Sequence, residues 1–175
     1  LRYITLRYSV QTKQVMLILT LGQQNALPES WLKAIAQFDM LTSFYTCYQG
    51  SKTQDQVLTD QMTHCAGKPH IQDVCLGIKY NVLPTVFLQA NAKLVETLYS
   101  QFAQLLNWDP ANPLIDLYCG TGVLTQYLAK TGQDVQGVDN NLTSIKQARE
   151  SNEINQGNVV FHHQMCEEFV KNTDL

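Results

Sequence analysis

Residues 114–124 read Leu114-Ile115-Asp116-Leu117-Tyr118-Cys119-Gly120-Thr121-Gly122-Val123-Leu124, an apolar stretch that runs into a Gly-x-Gly turn and at once into helix-forming sequence. Glycines at such a junction let the backbone turn sharply and approach a ligand closely, while the free N–H groups of the helix start face that ligand. Around it the pattern alternates. A strand at Leu114–Tyr118 is followed by a helix carrying Val123, Leu124, Tyr127 and Leu128, a strand at Asp134–Val138, a helix carrying Leu142, Ile145 and Ala148 and ended by Gly157, and a strand at Asn158–His162. The order βαβαβ predicts parallel strands joined by helical crossovers, the start of a doubly wound α/β domain.

Asp139 follows Gly120 by nineteen residues and ends the second of these strands, where a carboxylate accepts hydrogen bonds from ribose hydroxyls. Thr125 occupies the place of the third glycine of a dinucleotide fingerprint, which disfavours NAD and FAD. The ligand best suited to this loop is S-adenosylmethionine, whose ribose needs one carboxylate and which has no pyrophosphate to bind. Asp116 at the strand end is placed to meet that ligand's ammonium, and Gln164 to Glu167 to lie near its adenine, with a solvated helix start the plainer reading of Glu167 and Glu168. Gly-x-Gly by itself also fits an ordinary strand-to-helix turn.

Upstream, a helix over about Asn91–Leu106 is signalled by Leu94, Val95, Leu98, Phe102 and Leu105 and stopped by Asp109-Pro110-Ala111-Asn112-Pro113. Just before it, Pro84 sets a bend, Phe87 is expected to anchor the segment, and Gln89 and Asn91 offer polar groups at the helix start, with capping by Asn91 as the simplest role. Further back, Leu1–Tyr8 and Gln14–Leu21 suggest an antiparallel pair, followed by a helix opened by Pro28 and Glu29 with Trp31, Leu32, Ile35 and Phe38 on one face. Strands are expected at about Thr42–Tyr48, Gln56–Thr59 and Ile71–Leu76. The boundary between a small α/β domain and the second part is placed at 78/79.

A chain of 175 residues that is 45% hydrophobic and 15% charged has the composition of a folded protein and excludes a disordered linker. The net charge of −3 excludes attraction of nucleic acid by overall field. Residues 1–90 carry seven basic and five acidic side chains and residues 91–175 five and ten, so the first half is the better face for a polyanion. There, Tyr3, Tyr8, Tyr45 and Tyr48 with Arg2, Arg7 and Lys13 make either a surface for stacking and phosphate contact or one packed face of a sheet. Five cysteines, an odd number without a CxxC pair, argue for reduced thiols and against a zinc site or disulfide framework. His162-His163 lacks partners at ligand spacing, so no metal is expected. No apolar run is long enough to span a bilayer and no leader pattern is present, which makes a cytoplasmic protein the expectation. The chain opens at Leu1-Arg2-Tyr3 without Met, as an excised piece would. Its oligomeric state is not readable.

Two of these segments together resemble a known family. Gly77-Ile78-Lys79-Tyr80 through Pro84 with Phe87-Leu88-Gln89-Ala90-Asn91, and then Asp116-Leu117-Tyr118-Cys119-Gly120-Thr121-Gly122, are similar to the "FxQxN" and "DLYCGTG" segments of the bacterial RNA 5-methyluridine methyltransferases, the TrmA-like enzymes. The opening Leu1–Leu21 resembles the central α/β domain that precedes them. The resemblance implies a central α/β domain at 1–78 with a role in RNA contact, and the first half of a class I, Rossmann-like methyltransferase domain at 79–175. It implies S-adenosylmethionine as methyl donor and a uridine of structured RNA, 23S ribosomal RNA or transfer RNA, as substrate. Matched position by position, Gln89, Tyr118, Gly120, Gly122, Val123 and Asp139 fall on the cofactor contacts. Val123 departs from the polar residue usual in the family, and Asp139 replaces a Glu found in many members, with a shorter reach.

The family's nucleophilic cysteine and its base glutamate belong to downstream segments that have no counterpart before Leu175, and its iron-sulfur cysteines, where present, to sequence before Leu1. The 175 residues alone are therefore expected to bind cofactor without turnover. Cys119 is read as a small residue at a strand end, and Cys47, Cys65, Cys75 and Cys166 as buried thiols. Two other classes stay open: a methyltransferase for a different kind of substrate, and a non-catalytic module that binds RNA or protein.

Overall fold

A computed structural model describes residues 1–24, 27–50, 57–89, 91–106, 109, 112–132 and 134–173. The chain divides into two compact units, Leu1–Asp73 with Val82–Thr85 and Val74–Asn81 with Val86–Leu175. Among the described residues no helix is long and apolar enough to cross a membrane.

The first unit is built on a four-stranded sheet of order β1-β2-β3-β4. β1 (Tyr3–Tyr8) and β2 (Val15–Leu21) are antiparallel, with Tyr3 opposite Thr20 and Tyr8 opposite Val15. β3 (Leu41–Tyr48) lies parallel to β2, so the chain must cross over between them, and the segment holding α1 (Glu29–Ile35) makes that crossover. β4 (Met62–Gly67) closes the sheet antiparallel to β3. Strand alternation sends Met16, Ile18 and Thr20 to one face, all three with no exposure, where buried Tyr45 and Cys47 of β3 stand beside Ile18 and Thr20; Phe44, beside Leu17, is buried on the other face at 1%.

Three expectations change here. The strand expected at Gln56–Thr59 is absent over its described part, 57–59, and the pairing strand lies at 62–67, where His64, Ala66 and Gly67 give little apolar periodicity. α1 ends at Ile35, which leaves Phe38 outside it and 66% exposed. The tyrosines do not form one surface. Tyr45 is buried and donates to the Pro69 carbonyl at 2.7 Å, whereas Tyr3 and Tyr8, five positions apart on an edge strand, are exposed on opposite faces.

Between β5 (Ile71–Cys75) and β6 (Ile78–Val82), which form a two-stranded sheet, the connection is only Leu76-Gly77. Both residues have positive φ, 50° and 73°, as a tight two-residue turn requires, and Gly77 makes this easy. β6 was not expected as a strand; Ile78, Tyr80 and Val82 alternate within it and are buried.

In the second unit, α2 (Ala92–Leu105) is followed by β7 (Leu114–Leu117), α3 (Val123–Ala129), β8 (Val135–Asp139), α4 (Leu142–Ile154), β9 (Val160–His163) and α5 (Cys166–Asn172). The strands pair in the order β7-β8-β9, all parallel, as the alternation predicts. Ile145 and Ala148 of α4 pack with Val159 and Phe161, while Val138 packs with Cys166 and Phe169 of α5. Since Gly137, against Phe161, and Val138 point to opposite faces of β8, α4 and α5 cover opposite faces of the sheet. β6 is tied in by side chains that take the place of a neighbouring strand. Asn155 accepts from the Lys79 N–H at 3.0 Å and donates to the Lys79 carbonyl at 2.8 Å, and buried Ser151 donates to that carbonyl at 2.8 Å.

Candidate functional site

The loop after β7 turns the chain through three left-handed residues in five: Tyr118 (φ 59°), Gly120 (φ 56°) and Gly122 (φ 71°). Its ladder is anchored by Cys119 N–H to the Val138 carbonyl at 3.1 Å, and the turn into α3 by Gly122 N–H to the Cys119 carbonyl at 2.9 Å. The two glycines serve different ends. A Cβ on Gly120 would meet nothing within 4 Å, so its backbone faces open space, whereas one on Gly122 would come within 2.5 Å of the Phe161 ring. Gly120 leaves room for a ligand; Gly122 lets α3 sit on the sheet.

Asp139 ends β8 beside this loop. One carboxylate oxygen accepts from Gly120 N–H at 2.9 Å and the other from Asn141 N–H at 2.7 Å. Asn141 in turn caps α4, accepting from Ser144 N–H at 3.0 Å. The spacing of nineteen residues thus becomes direct contact, with the carboxylate spanning the glycine loop and the start of the next helix.

Asp116, on β7, accepts from the Thr125 hydroxyl at 2.6 Å, and Thr125 has no solvent exposure. Burial pushes the Asp116 carboxyl above the usual carboxylate range, the Thr125 hydrogen bond opposes that rise, and the negative charge of Asp139 adds to it. Burial, then Asp116, then Asp139 push the Cys119 thiol far up as well. A thiol held protonated is a poor nucleophile, which agrees with its reading as a packing residue at the strand end.

Tyr118 stands out from the loop with 64% of its surface exposed. Its hydroxyl donates to Glu167 at 2.7 Å and its N–H to the Cys166 sulfur at 3.3 Å. That pairing raises the Tyr118 phenol and lowers the Glu167 carboxyl. Glu167, read from the sequence as a solvated residue of a helix start, therefore has a specific partner at the site. On the other side Gln89, exposed, hydrogen-bonds the phenol of Tyr99, which burial and the nearby Cys75 and Asp116 raise. Tyr99 was missed in the sequence because it belongs to no motif, although it stands four residues after Val95 and three before Phe102.

The predicted contacts Tyr118, Gly120, Gly122 and Asp139 come together around one loop, with Gln89 connected to it through Tyr99 and Asp116. Val123, the first residue of α3, is buried at 9% exposure, so its side chain packs inward. Asn91 caps α2 by accepting from Leu94 N–H at 3.0 Å. Phe87 does not anchor its segment, being 76% exposed, and Cys65 is an exposed thiol, not a buried one. His162 pairs with Gln136 at 2.9 Å and His163 with the Asn140 carbonyl at 3.1 Å.

Residues 114–174 match the model of a family described as a methyltransferase domain. Over 85% of its length the chain is 29% identical to a protein of Enterococcus faecalis named an uncharacterized RNA methyltransferase, of which it covers 33%. It is 32% identical over 77% of its length to the 23S rRNA (uracil(747)-C(5))-methyltransferase of Pyrococcus horikoshii, covering 32% of it. Among solved structures, the tRNA (uracil-54, C5)-methyltransferase of Pyrococcus abyssi, determined in complex with S-adenosyl-L-homocysteine, superposes with a TM-score of 0.74 at 27% identity, over 91% of this chain and 38% of that one. The chain spans about a third of the length of the curated relatives it matches. The α/β fold is that of the Rossmann-like methyltransferases, and the resemblance read from the two motifs holds: the relatives are named RNA methyltransferases, uracil-C5 enzymes among them.

Proposed function

We propose that this relative of the RNA uracil-C5 methyltransferases binds S-adenosylmethionine at the loop 116–122 and serves methylation of uracil C5 in structured RNA, ribosomal or transfer. The observation that carries the reading is the Gly120–Asp139 contact at 2.9 Å beside a glycine whose outer side is open. The residues fit such a ligand. Asp139 offers a carboxylate to ribose hydroxyls, its two backbone donors fixing its orientation. Tyr118 offers an exposed ring on which an adenine can stack, steadied by Glu167. Asp116 and Gln89 flank Tyr99 and offer a carboxylate and an amide to the ligand's amino-acid end. When bound, S-adenosylmethionine supplies an electrophilic methyl group. The roles of Gly120 and Gly122 are to let the backbone approach and to hold α3 in place, and that of Val123 is to pack beneath the loop.

Cys119 is not the nucleophile of this reading, because its thiol stays protonated. The family's attack on uracil C6 requires a thiolate, and no residue of the chain is assigned that part. In this reading residues 1–78 meet RNA, residues 79–175 hold the cofactor, and the place of action is the cytoplasm.

Calorimetric titration of the chain with S-adenosylmethionine, with NAD as the control ligand, tests the proposal. Saturable binding of the former, lost in Asp139→Ala, is the expected result. Preference for NAD, or binding indifferent to Asp139, overturns it.

A further inference from the structure

The carboxylate of Asp116 is a partly buried acid with a second carboxylate near it. Asp139 faces it from the end of β8, the Cys119 thiol from the loop, and the Tyr99 phenol from α2. Nothing cationic faces it among the described residues, and the hydroxyl that donates to it is that of Thr125, at 2.6 Å from Oδ2, on a side chain with no exposure. Among the described residues Oδ1 accepts no hydrogen bond. A partly buried carboxylate with one oxygen tied down and the other free, beside a second carboxylate, is a receptor for a cation.

We propose that Thr125 is a positioning residue for methyl-donor recognition, its hydroxyl fixing the Asp116 carboxylate so that the free oxygen takes the donor's ammonium. This rests on the reading of the loop as an S-adenosylmethionine site. Thr125 is also the residue that replaces the third glycine of a dinucleotide loop, so one position both closes the route to a pyrophosphate ligand and shapes the pocket for an amino-acid one. Its hydroxyl acts against the rise that burial imposes on Asp116, which keeps the carboxylate ionised, and so able to pair with a cation, to lower pH.

Two ligands separate this role from simple packing. S-adenosylhomocysteine carries the ammonium; 5′-methylthioadenosine has the same adenosine and sulfur and lacks it. Thr125→Val keeps the volume and removes the hydroxyl, and Thr125→Ser keeps the hydroxyl. Both are titrated with both ligands between pH 5 and 8, with thermal unfolding of each variant alongside.

In Thr125→Val, affinity for S-adenosylhomocysteine is expected to fall on the order of tenfold, the scale of one hydrogen bond to a charged group. Its acid limb should move to higher pH, because Asp116 then protonates more readily, while 5′-methylthioadenosine binds as to the wild type. Thr125→Ser should restore both affinity and pH profile. Equal loss for the two ligands, no loss for either, or failure of serine to rescue overturns the role of Thr125 while the cofactor site stands. A wild-type chain that binds neither ligand overturns the site, and this inference with it.

Discussion

Replacing three glycines by alanine separates the two reasons for which this fold needs them. At Gly120 the backbone is left-handed, φ 56°, with open space around the Cβ position, so Gly120→Ala meets conformational strain alone, about 1–2 kcal/mol. At Gly137 no positive φ is involved, but a Cβ would lie 2.6 Å from the Phe161 ring and 2.9 Å from the Cys119 sulfur, so Gly137→Ala meets overpacking alone, about 1–3 kcal/mol. Gly122 has both, φ 71° and a Cβ within 2.5 Å of Phe161 and 3.1 Å of Ala148, so Gly122→Ala should cost roughly the two together, about 2–5 kcal/mol. Phe161 is 4% exposed and packed against Ile145 and Ala148, so it cannot swing aside freely. Urea denaturation followed by far-ultraviolet circular dichroism measures the three losses. In a double-mutant cycle, Phe161→Leu should return part of the Gly122→Ala loss and none of the Gly120→Ala loss. Equal losses at Gly120 and Gly122, or no coupling between Gly122 and Phe161, would refute the reasoning.

Gly120→Ala should abolish S-adenosylhomocysteine binding in calorimetry despite its modest effect on stability, because the new methyl group enters the open side of the loop. Asn155→Ala removes both side-chain bonds to the Lys79 backbone, and a loss of about 1–3 kcal/mol with faster hydrogen exchange at the Lys79 amide is expected. Iodoacetamide at pH 8 should alkylate exposed Cys65 well before Cys119, whose thiol burial and two carboxylates keep protonated; mass spectrometry of timed digests reads the order. Tyr118→Phe removes the hydrogen bond that is the main cause of the lowered Glu167 carboxyl, so the Glu167 titration followed by NMR should move up toward ordinary glutamate.

The sequence by itself determined the second unit almost element by element. Each strand from β7 to β9 is a short apolar run bounded by a polar or glycine-containing turn, each helix between them carries a three-to-four period, and parallel strands need such crossovers, so local pattern and global fold agree. The glycine loop was legible for the same reason: Gly120, Gly122 and Asp139 meet through backbone geometry and strand ends, which sequence position specifies. Only the tertiary structure placed β4 and β6, since an edge strand such as 62–67 carries little burial pattern and the worth of 78–82 lies in its partners Ser151 and Asn155, more than 70 positions away. It also decided which apolar residues form the core. Leu94, Leu98 and Leu105 mark α2 as amphipathic, yet all three are exposed by more than half, as is Phe87. Periodicity states which residues share a face and is silent on what covers that face. The Thr125–Asp116 bond and the approach of Tyr99 to Gln89 were likewise decided by packing, because a hydroxyl reads the same in sequence whether it meets water or a partly buried carboxylate.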